Sequence, residues 1–403
     1  MKRENNSDNY KSVYVMTRIK PPVSFKHKTI ETNAKNMKEL VVKNDILDYQ
    51  NRKKQDKKKY SLDKVFDIDF NNKDIYECIG IPLIERFFKG ENSSFFVYGQ
   101  TGSGKTHTSI GNEKEKGLIE YLLNALSKKS RFNKQYDYAN ISCVELYNNK
   151  FYDIFDENRE IKLLENGNGH FVLKDCKNYI IKDTNNDLLM EIFKTKRKVG
   201  VSSENSASSR SHLIIQIKGK NNFISIIDMA GSEKASKAIL NSNERIRENA
   251  KINESILALK ECIRAYKLNQ KYIPFRKNNL TKLLRNTFND KCVCFVLSTI
   301  SADKHNVLDT INTLNYVSDM KHIHRTILQL RKSKQKPEME EYDQDLREKQ
   351  DRLIVEYYKE LKYSSENREM LFKNTHMDTI FRKQLRDHVK KDLFLMENLL
   401  KIL

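Results

Sequence analysis

Residues 99–106 read GQTGSGKT, with Gly99, Gly102 and Gly104 set among small polar residues and followed by Lys105 and Thr106. Glycines at this spacing let successive backbone N–H groups converge on phosphate oxygens, and a helix starting just after them adds the positive end of its dipole. In such a Walker A loop the lysine reaches the β- and γ-phosphates and the threonine hydroxyl takes a place beside Mg²⁺. The whole loop, Gly99, Gln100, Thr101, Gly102, Ser103, Gly104, Lys105 and Thr106, is therefore a candidate nucleotide cradle. It needs an acid from a second strand. FISIIDMAGSE at 223–233 supplies Asp228 at the end of an apolar run, with Gly231 three residues on, where its N–H can sense a γ-phosphate. Alone, D-x-x-G is a common turn; together with the Walker loop it is specific. A third stretch, NSASSRSH at 205–212, puts Ser208, Ser209 and Arg210 ahead of another apolar run. By composition it is only a serine-rich loop, able to contact magnesium, γ-phosphate or water.

These groups need a scaffold that delivers them to one edge. FFVYG reads as the strand feeding the Walker loop, and residues 105–127 suit a helix interrupted near Gly111 and Gly117. SVYVMTRI at 12–19 alternates as a strand does and stops at Pro21-Pro22. Residues 76–88 read as a helix, and 138–155 as a hairpin turning at Asn148-Asn149. Short strands fall within 161–181 and a helix over 186–199. Then come strands at 212–219 and 223–231, a long helix at 244–268, a segment opened by Pro274, a strand at 292–301 and a helix at 307–322. Apolar strands alternating with helices predict an α/β, three-layer P-loop NTPase fold: a central, mostly parallel sheet flanked by helices over 12–325, behind a short tail at 1–11. The basic stretch between the first strand and residue 60, including NRKKQDKKK, reads as a long wet loop.

Residues 326–403 predict a helical extension. Between 331 and 403 there is one proline, Pro337, and no glycine. Met377, Phe381, Leu385, Val389, Leu393, Met396, Leu400 and Leu403 share a helical face, with Thr375 and Asp378 as a capping box; Tyr342, Leu346, Leu353, Tyr357 and Leu361 form a shorter one. Spacings of four outnumber spacings of three, which makes a poor heptad. Two packed helices suit the pattern better than a homodimerising coil.

The formal net charge is +20, from 74 Lys and Arg against 54 Asp and Glu. This favours an acidic partner, although a lysine-rich coding bias contributes. Cys78, Cys143, Cys176, Cys262, Cys292 and Cys294 contain no C-x-x-C pair, so reduced buried thiols are expected rather than zinc. The segment MKRENNSDNY lacks the apolar stretch of a signal peptide, and no run is long enough to span a membrane. A reducing compartment, cytoplasm or nucleus, is the expectation.

GQTGSGKTHT, NSASSRSH and DMAGSE, in this order and at these separations, resemble the kinesin motor domain. So do INESILALKECI at 252–263, YIPFRKNNLTKLLRNTF after it, and TINTLNYVSDMKHI near 320. The resemblance implies an ATP hydrolase with Mg²⁺, driven against microtubules, in the cytoplasm on the cytoskeleton or spindle, with no nucleic acid or membrane partner. It also implies roles. Arg18 and Pro21 would flank the adenine, with Lys20 where the family has a second arginine, and His107 would flank it from the other side. Thr106, Ser209 and Asp228 would hold the metal. Ser208 and Ser209 would form switch I, Arg210 and Glu233 would close it onto switch II, and Asn253 would help position water. Lys260, Arg264, Arg276 and Arg285 would contact tubulin; Lys271, Lys277 and Lys282 match the pattern less well. Asn243 and Asn249 replace usual glycines, and Asn278-Asn279 departs from the family's SKLT.

LALKECIRA at 257–265, LIERFFKGENSSFFVYGQTGSGKTHT and VELYNNKFYDIF followed by IKLLENGNG are similar to the internal-motor, microtubule-depolymerising class, kinesin-13. Its Lys-Val-Asp loop tip has only Ile46-Leu47-Asp48 as a counterpart, and a basic neck before the motor is missing from the ten or so residues there. A translocating motor is the alternative, with 322–332 where a neck linker would lie; a non-catalytic microtubule-binding module is a third reading, opposed by the intact nucleotide residues.

Overall fold

A computed structural model describes residues 12–23, 29–33, 36–47, 53–132, 139–167, 171–182, 185–198, 210–232, 243–288 and 291–334. Three strands form the heart of the sheet. The first is β1 (Val13–Lys20) and the second is Asn92–Gly99, which is β6 after the strands β2 (Ile30–Asn33), β3 (Asn36–Leu47), β4 (Lys53–Ser61) and β5 (Lys64–Phe66). The third is β15 (Cys292–Ser301), buried at all ten positions. Between them run β7 (Asn140–Tyr147), β8 (Lys150–Asp153), β9 (Arg159–Ile161), β10 (Leu163–Glu165), β11 (Phe171–Leu173), β12 (Tyr179–Ile180), β13 (His212–Lys218) and β14 (Phe223–Asp228). The large sheet runs β5-β1-β15-β6-β14-β13-β7-β8-β9, with β12 also on β7. Pairs from β5 through β14 are parallel, and those from β14 outward are antiparallel. The sheet is thus mixed: its parallel half carries the Walker loop, and its antiparallel half includes the expected hairpin, turning at Asn148 and Asn149 with φ of 51° and 62°.

The helices are α1 (Asn72–Ile75), α2 (Ile81–Phe88), α3 (Lys105–Ser109), α4 (Leu118–Phe132), α5 (Asn186–Lys198), α6 (Asn243–Lys267), α7 (Asn279–Leu284) and α8 (Val307–Lys334). Strand pleating divides the apolar residues between two cores. Phe96 and Tyr98 of β6 face a core with Leu259 of α6, Leu283 of α7 and Val317 of α8. Phe95 and Val97 face the other, with Leu83 of α2, Leu122 of α4 and Phe193 of α5. This is the three-layer sandwich the strand pattern required.

Three local readings change. The helix read over 76–88 begins earlier, because Asn71 caps it and Asp74 completes a capping box, with a π turn at Tyr76–Gly80 before α2. The last helix extends to Lys334. The wet basic loop is instead part of a separate antiparallel sheet, β2-β3-β4. Ile30, Leu40, Val42 and Tyr60 are buried on one face of it, which is enough to hold the strands although Lys57, Lys58 and Lys59 stay exposed. The chain divides into Met1–Gln329 and Leu330–Leu403, and of the second unit only the end of α8 is described. The apolar faces read between 342 and 403 lie outside the described residues, as does Asp48.

Candidate nucleotide site

Parallel register brings the chemistry together. In neighbouring strands Gly99 pairs with Thr299 and Val97 with Asp228, so the Walker loop and the acid leave adjacent strand ends. Gly99 is dictated by close approach: a Cβ there would lie 2.2 Å from the Thr299 carbonyl oxygen. Gly104 stands at φ +105° immediately before α3, a conformation disfavoured for L side chains. Ser103 Oγ donates to the Gln100 carbonyl at 2.7 Å and bonds Thr299 Oγ1 at 2.7 Å, fixing the loop to β15. Lys105 is buried, its Nζ donating to the carbonyls of Gly99 and Gln100 at 2.9 Å each. Thr101 and Gly102 form the exposed crest.

Thr106 Oγ1 donates to Asp228 Oδ2 at 3.0 Å, and Ser109 Oγ donates to the same oxygen at 3.2 Å. Asp228 is 1% exposed. A hydroxyl and a carboxylate at one helix start are hard oxygen donors of the kind Mg²⁺ takes, so Thr106 and Asp228 fit the metal. The segment after Asp228 is tied to the cradle as well: Met229 N–H donates to Val97 O at 3.2 Å and Ser232 N–H to Gly99 O at 3.1 Å, with Gly231 buried between them.

Beside the loop lies a cavity of about 690 Å³ whose walls include Lys20, Pro21, Phe70, His107 and Glu115. Its position suits a base next to the phosphates. His107 Nε2 sits 2.9 Å from Glu115 Oε2. Burial lowers the imidazole's pKa below the usual histidine value; Arg18 and Lys20 push the same way and Glu115 opposes. Lys20 Nζ donates to Gly102 O at 2.8 Å, tying β1 to the crest. Arg18 also lines the cavity, but its guanidinium is engaged with the scaffold, donating to Asn72 Oδ1, to Thr108 Oγ1 at 2.8 Å and to Phe70 O at 3.3 Å.

The family model for the kinesin motor domain matches residues 18–323. The chain belongs to the kinesin motor domain family. Kinesin motor domains are ATPases, and two of the three motifs that identify the family fall on the geometry just described. Kinesin-like protein KIF24 of Homo sapiens is 32% identical over 279 residues, 66% of this chain and 20% of the relative. KIN-13B of Arabidopsis thaliana is 31% identical over 284 residues, 66% and 40%, and KIN-8B of the same plant 31% over 312, 72% and 38%. The chain therefore spans well under half the length of these relatives. Among solved structures, a KIF14 dimer bound by two heads to a microtubule with AMP-PNP superposes with TM-score 0.67 at 23% identity, over 78% of this chain and 94% of that one. A fast kinesin gives 0.66 at 23%, over 77% and 91%. These superpositions bear on the fold alone.

Of the kinesin switch residues, Arg210 lies in the turn before β13 and Asn253 lies within α6. Ser208, Ser209 and Glu233 fall outside the described residues. The four residues matching the tubulin pattern lie along α6, the turn before α7, and the C-terminal cap of α7. Tyr266 joins these elements: its ring meets Phe275 and Phe288, and its hydroxyl donates to Phe288 O at 2.9 Å. Arg264 is exposed, and Lys260 Nζ lies 5.5 Å from the centre of the Tyr316 ring. Arg276 and Arg285 share Glu165 of β10, at 2.8 and 3.2 Å. Glu165, Asn72, Ser109 and Glu115 were missed in sequence. Only Asn72 had a readable signal, following the helix cap Asn71, since the others depend on long-range placement.

Proposed function

We propose that this kinesin is a microtubule-stimulated ATPase that binds microtubules through the α6–α7 side and couples ATP hydrolysis to force, applied at microtubule ends as depolymerisation. The Thr106–Asp228–Ser109 cluster, locked to the Walker loop by Ser232, carries the ATPase reading. Mg²⁺, when bound, neutralises charge between the β- and γ-phosphates; Thr106 and Asp228, with Ser209 by resemblance, would hold it. Lys105 and the N–H groups of the loop orient the phosphates. By the family resemblance, Gly231 N–H would sense the γ-phosphate, Arg210 and Glu233 would close switch I onto switch II, and Asn253 would help position water. Little covalent chemistry is asked of the protein beyond positioning and charge stabilisation.

The depolymerase reading is supported by the helix α8. It runs unbroken through 322–334, where a stepping motor would carry an extended linker. The KIN-13B relative adds to it, while the β3–β4 segment, without a Lys-Val-Asp tip, speaks against it. Translocation along the lattice is the second reading, since the match to KIN-8B is as good as that to KIN-13B and the likeness to the kinesin-13 class is therefore not exclusive. On the sequence reading, residues 12–325 would be the motor and 326–403 an extension of helical pattern, a site where two copies could pair. The location that fits is the cytoplasmic microtubule cytoskeleton, spindle included; among the described residues no helix is long and apolar enough to cross a membrane.

The test is purified protein with ATP and stabilised fluorescent microtubules under a microscope. Shortening from both ends is expected. Gliding or stepping without shortening replaces depolymerisation with translocation, and a Lys105→Ala protein that still works would sink the ATP-driven reading.

A further inference from the structure

The start of β13, the segment just after Asp228 and α6 meet at a buried imidazole to which the kinesin roles above assign nothing. His212, the first residue of β13, is 2% exposed and lies two residues after Arg210. Its Nδ1 lies 3.1 Å from the backbone nitrogen of Ala230, the residue before Gly231. Its Nε2 lies 2.9 Å from Ser255 Oγ on α6, two residues after Asn253. Ala230 and Ser255 are themselves buried. The protonation follows from the partners. A backbone N–H can only donate, so Nδ1 must present its lone pair, the proton sits on Nε2, and Nε2–H donates to Ser255 Oγ. One neutral ring thus bridges the γ-phosphate-sensing segment and α6. Its own backbone is anchored, since His212 pairs with Leu146 of β7 and the preceding Ser211 hydroxyl donates to Glu145 Oε1.

We propose that His212 is the positioning residue that transmits nucleotide state from Ala230–Gly231 to α6 through Ser255. A shift of the Gly231 segment on meeting a γ-phosphate moves the Ala230 N–H. The ring is held by an anchored strand, so it can follow that shift only by turning about its side-chain bonds, which carries Nε2–H relative to Ser255. The path from sensor to helix is two hydrogen bonds long and excludes water. The inference rests on the ATPase reading but requires no filament.

The two ends can be cut separately. His212→Asn keeps a short acceptor for Ala230 and cannot reach Ser255. Ser255→Ala removes the far hydroxyl, and Ser255→Thr retains it. The full chain is loaded with Mg²⁺ and either ADP or AMP-PNP. Nucleotide affinity is measured by fluorescence, and amide hydrogen exchange is followed in α6 and in the Walker loop. In the wild type, exchange in α6 is expected to differ between the two nucleotides. Loss of one link of this kind should shrink that difference roughly fivefold in Ser255→Ala and His212→Asn, with Walker-loop protection retained and Ser255→Thr close to wild type. A purely structural role would lower protection in both nucleotide states equally and leave the difference intact. An intact α6 difference in Ser255→Ala with nucleotide bound would overturn the proposal, as would no α6 difference in the wild type. Failure of the wild type to bind nucleotide would remove the ATPase reading and the link together, and the affinity measurement identifies that case.

Discussion

Arg18 offers a sharp test, because the family resemblance and the geometry ask different things of it. By resemblance it flanks the adenine; in the structure its guanidinium joins β1 to the start of α1 and to α3. Asn72 is fully buried, and its side-chain amide donates to His107 O and Lys116 O at 2.9 Å each, which turns Oδ1 toward Arg18. Thr108 Oγ1 also donates to Gly104 O at 2.8 Å, so it keeps a partner if Arg18 is lost. Asn72 Oδ1 is thus the acceptor most exposed to the loss. In Arg18→Met the aliphatic stem is largely retained. A charge-assisted bond to a buried acceptor contributes ~1.5–3 kcal/mol, and the Thr108 and Phe70 bonds are not additive with it, so a loss of ~2–4 kcal/mol is expected. Urea unfolding without nucleotide reads it directly. A cycle with Asn72→Ala should give a coupling of ~1–2 kcal/mol. A wild-type unfolding midpoint, or strictly additive single losses, would refute the tie. If Arg18 only flanked the base, nucleotide affinity would fall and the apo midpoint would stay put.

Four further outcomes follow from the geometry. Gly99→Ala should abolish nucleotide binding, measured by fluorescent nucleotide titration, because the new methyl meets the Thr299 carbonyl at 2.2 Å. Burial lowers the His107 pKa, so between its folded value and the usual ~6.5 the unfolded chain binds the extra proton. Apo stability should therefore rise with pH through that window and fall on acidification, with a shallower slope in His107→Asn by urea midpoints at several pH values. Glu165→Gln should release Arg276 and Arg285 and tighten microtubule co-sedimentation at low salt by roughly two- to fivefold, the scale of exposed pairs, with a steeper salt dependence; unchanged or weaker binding would show that Glu165 aligns the arginines instead of competing for them. Tyr266→Phe should cost about 1 kcal/mol in unfolding, since it removes one buried hydroxyl bond to Phe288 O.

How far the sequence could be read depended on whether a signal was local. The Walker loop, Asp228 and the Asn148-Asn149 turn were legible because glycines, strand ends and turn residues declare themselves within a few positions. The partners of Arg18 were not, since Asn72 and Thr108 stand 54 and 90 residues away in the chain. His212 was visible only as the end of a serine-rich motif; that its two nitrogens join Ala230 and Ser255 depends on where β13 and α6 pack.

The β2-β3-β4 sheet shows why the basic stretch was misread. Nine residues of KKQDKKKYS carry little apolar periodicity, and lysine is poorly represented in strands. Pairing with β3 removes most of the difficulty. Tyr60 stands opposite Leu40, the two buried beside Val42, while Lys59 stands opposite Val41 and pairs with Glu39 at 2.7 Å, and Lys43 pairs with Glu31. The lysines left over lie on an edge strand, where charge blocks pairing with another chain. A composition that looks like a wet loop is thus also what an edge strand needs to stay unpaired, and the two can be told apart only by the apolar neighbour across the ladder.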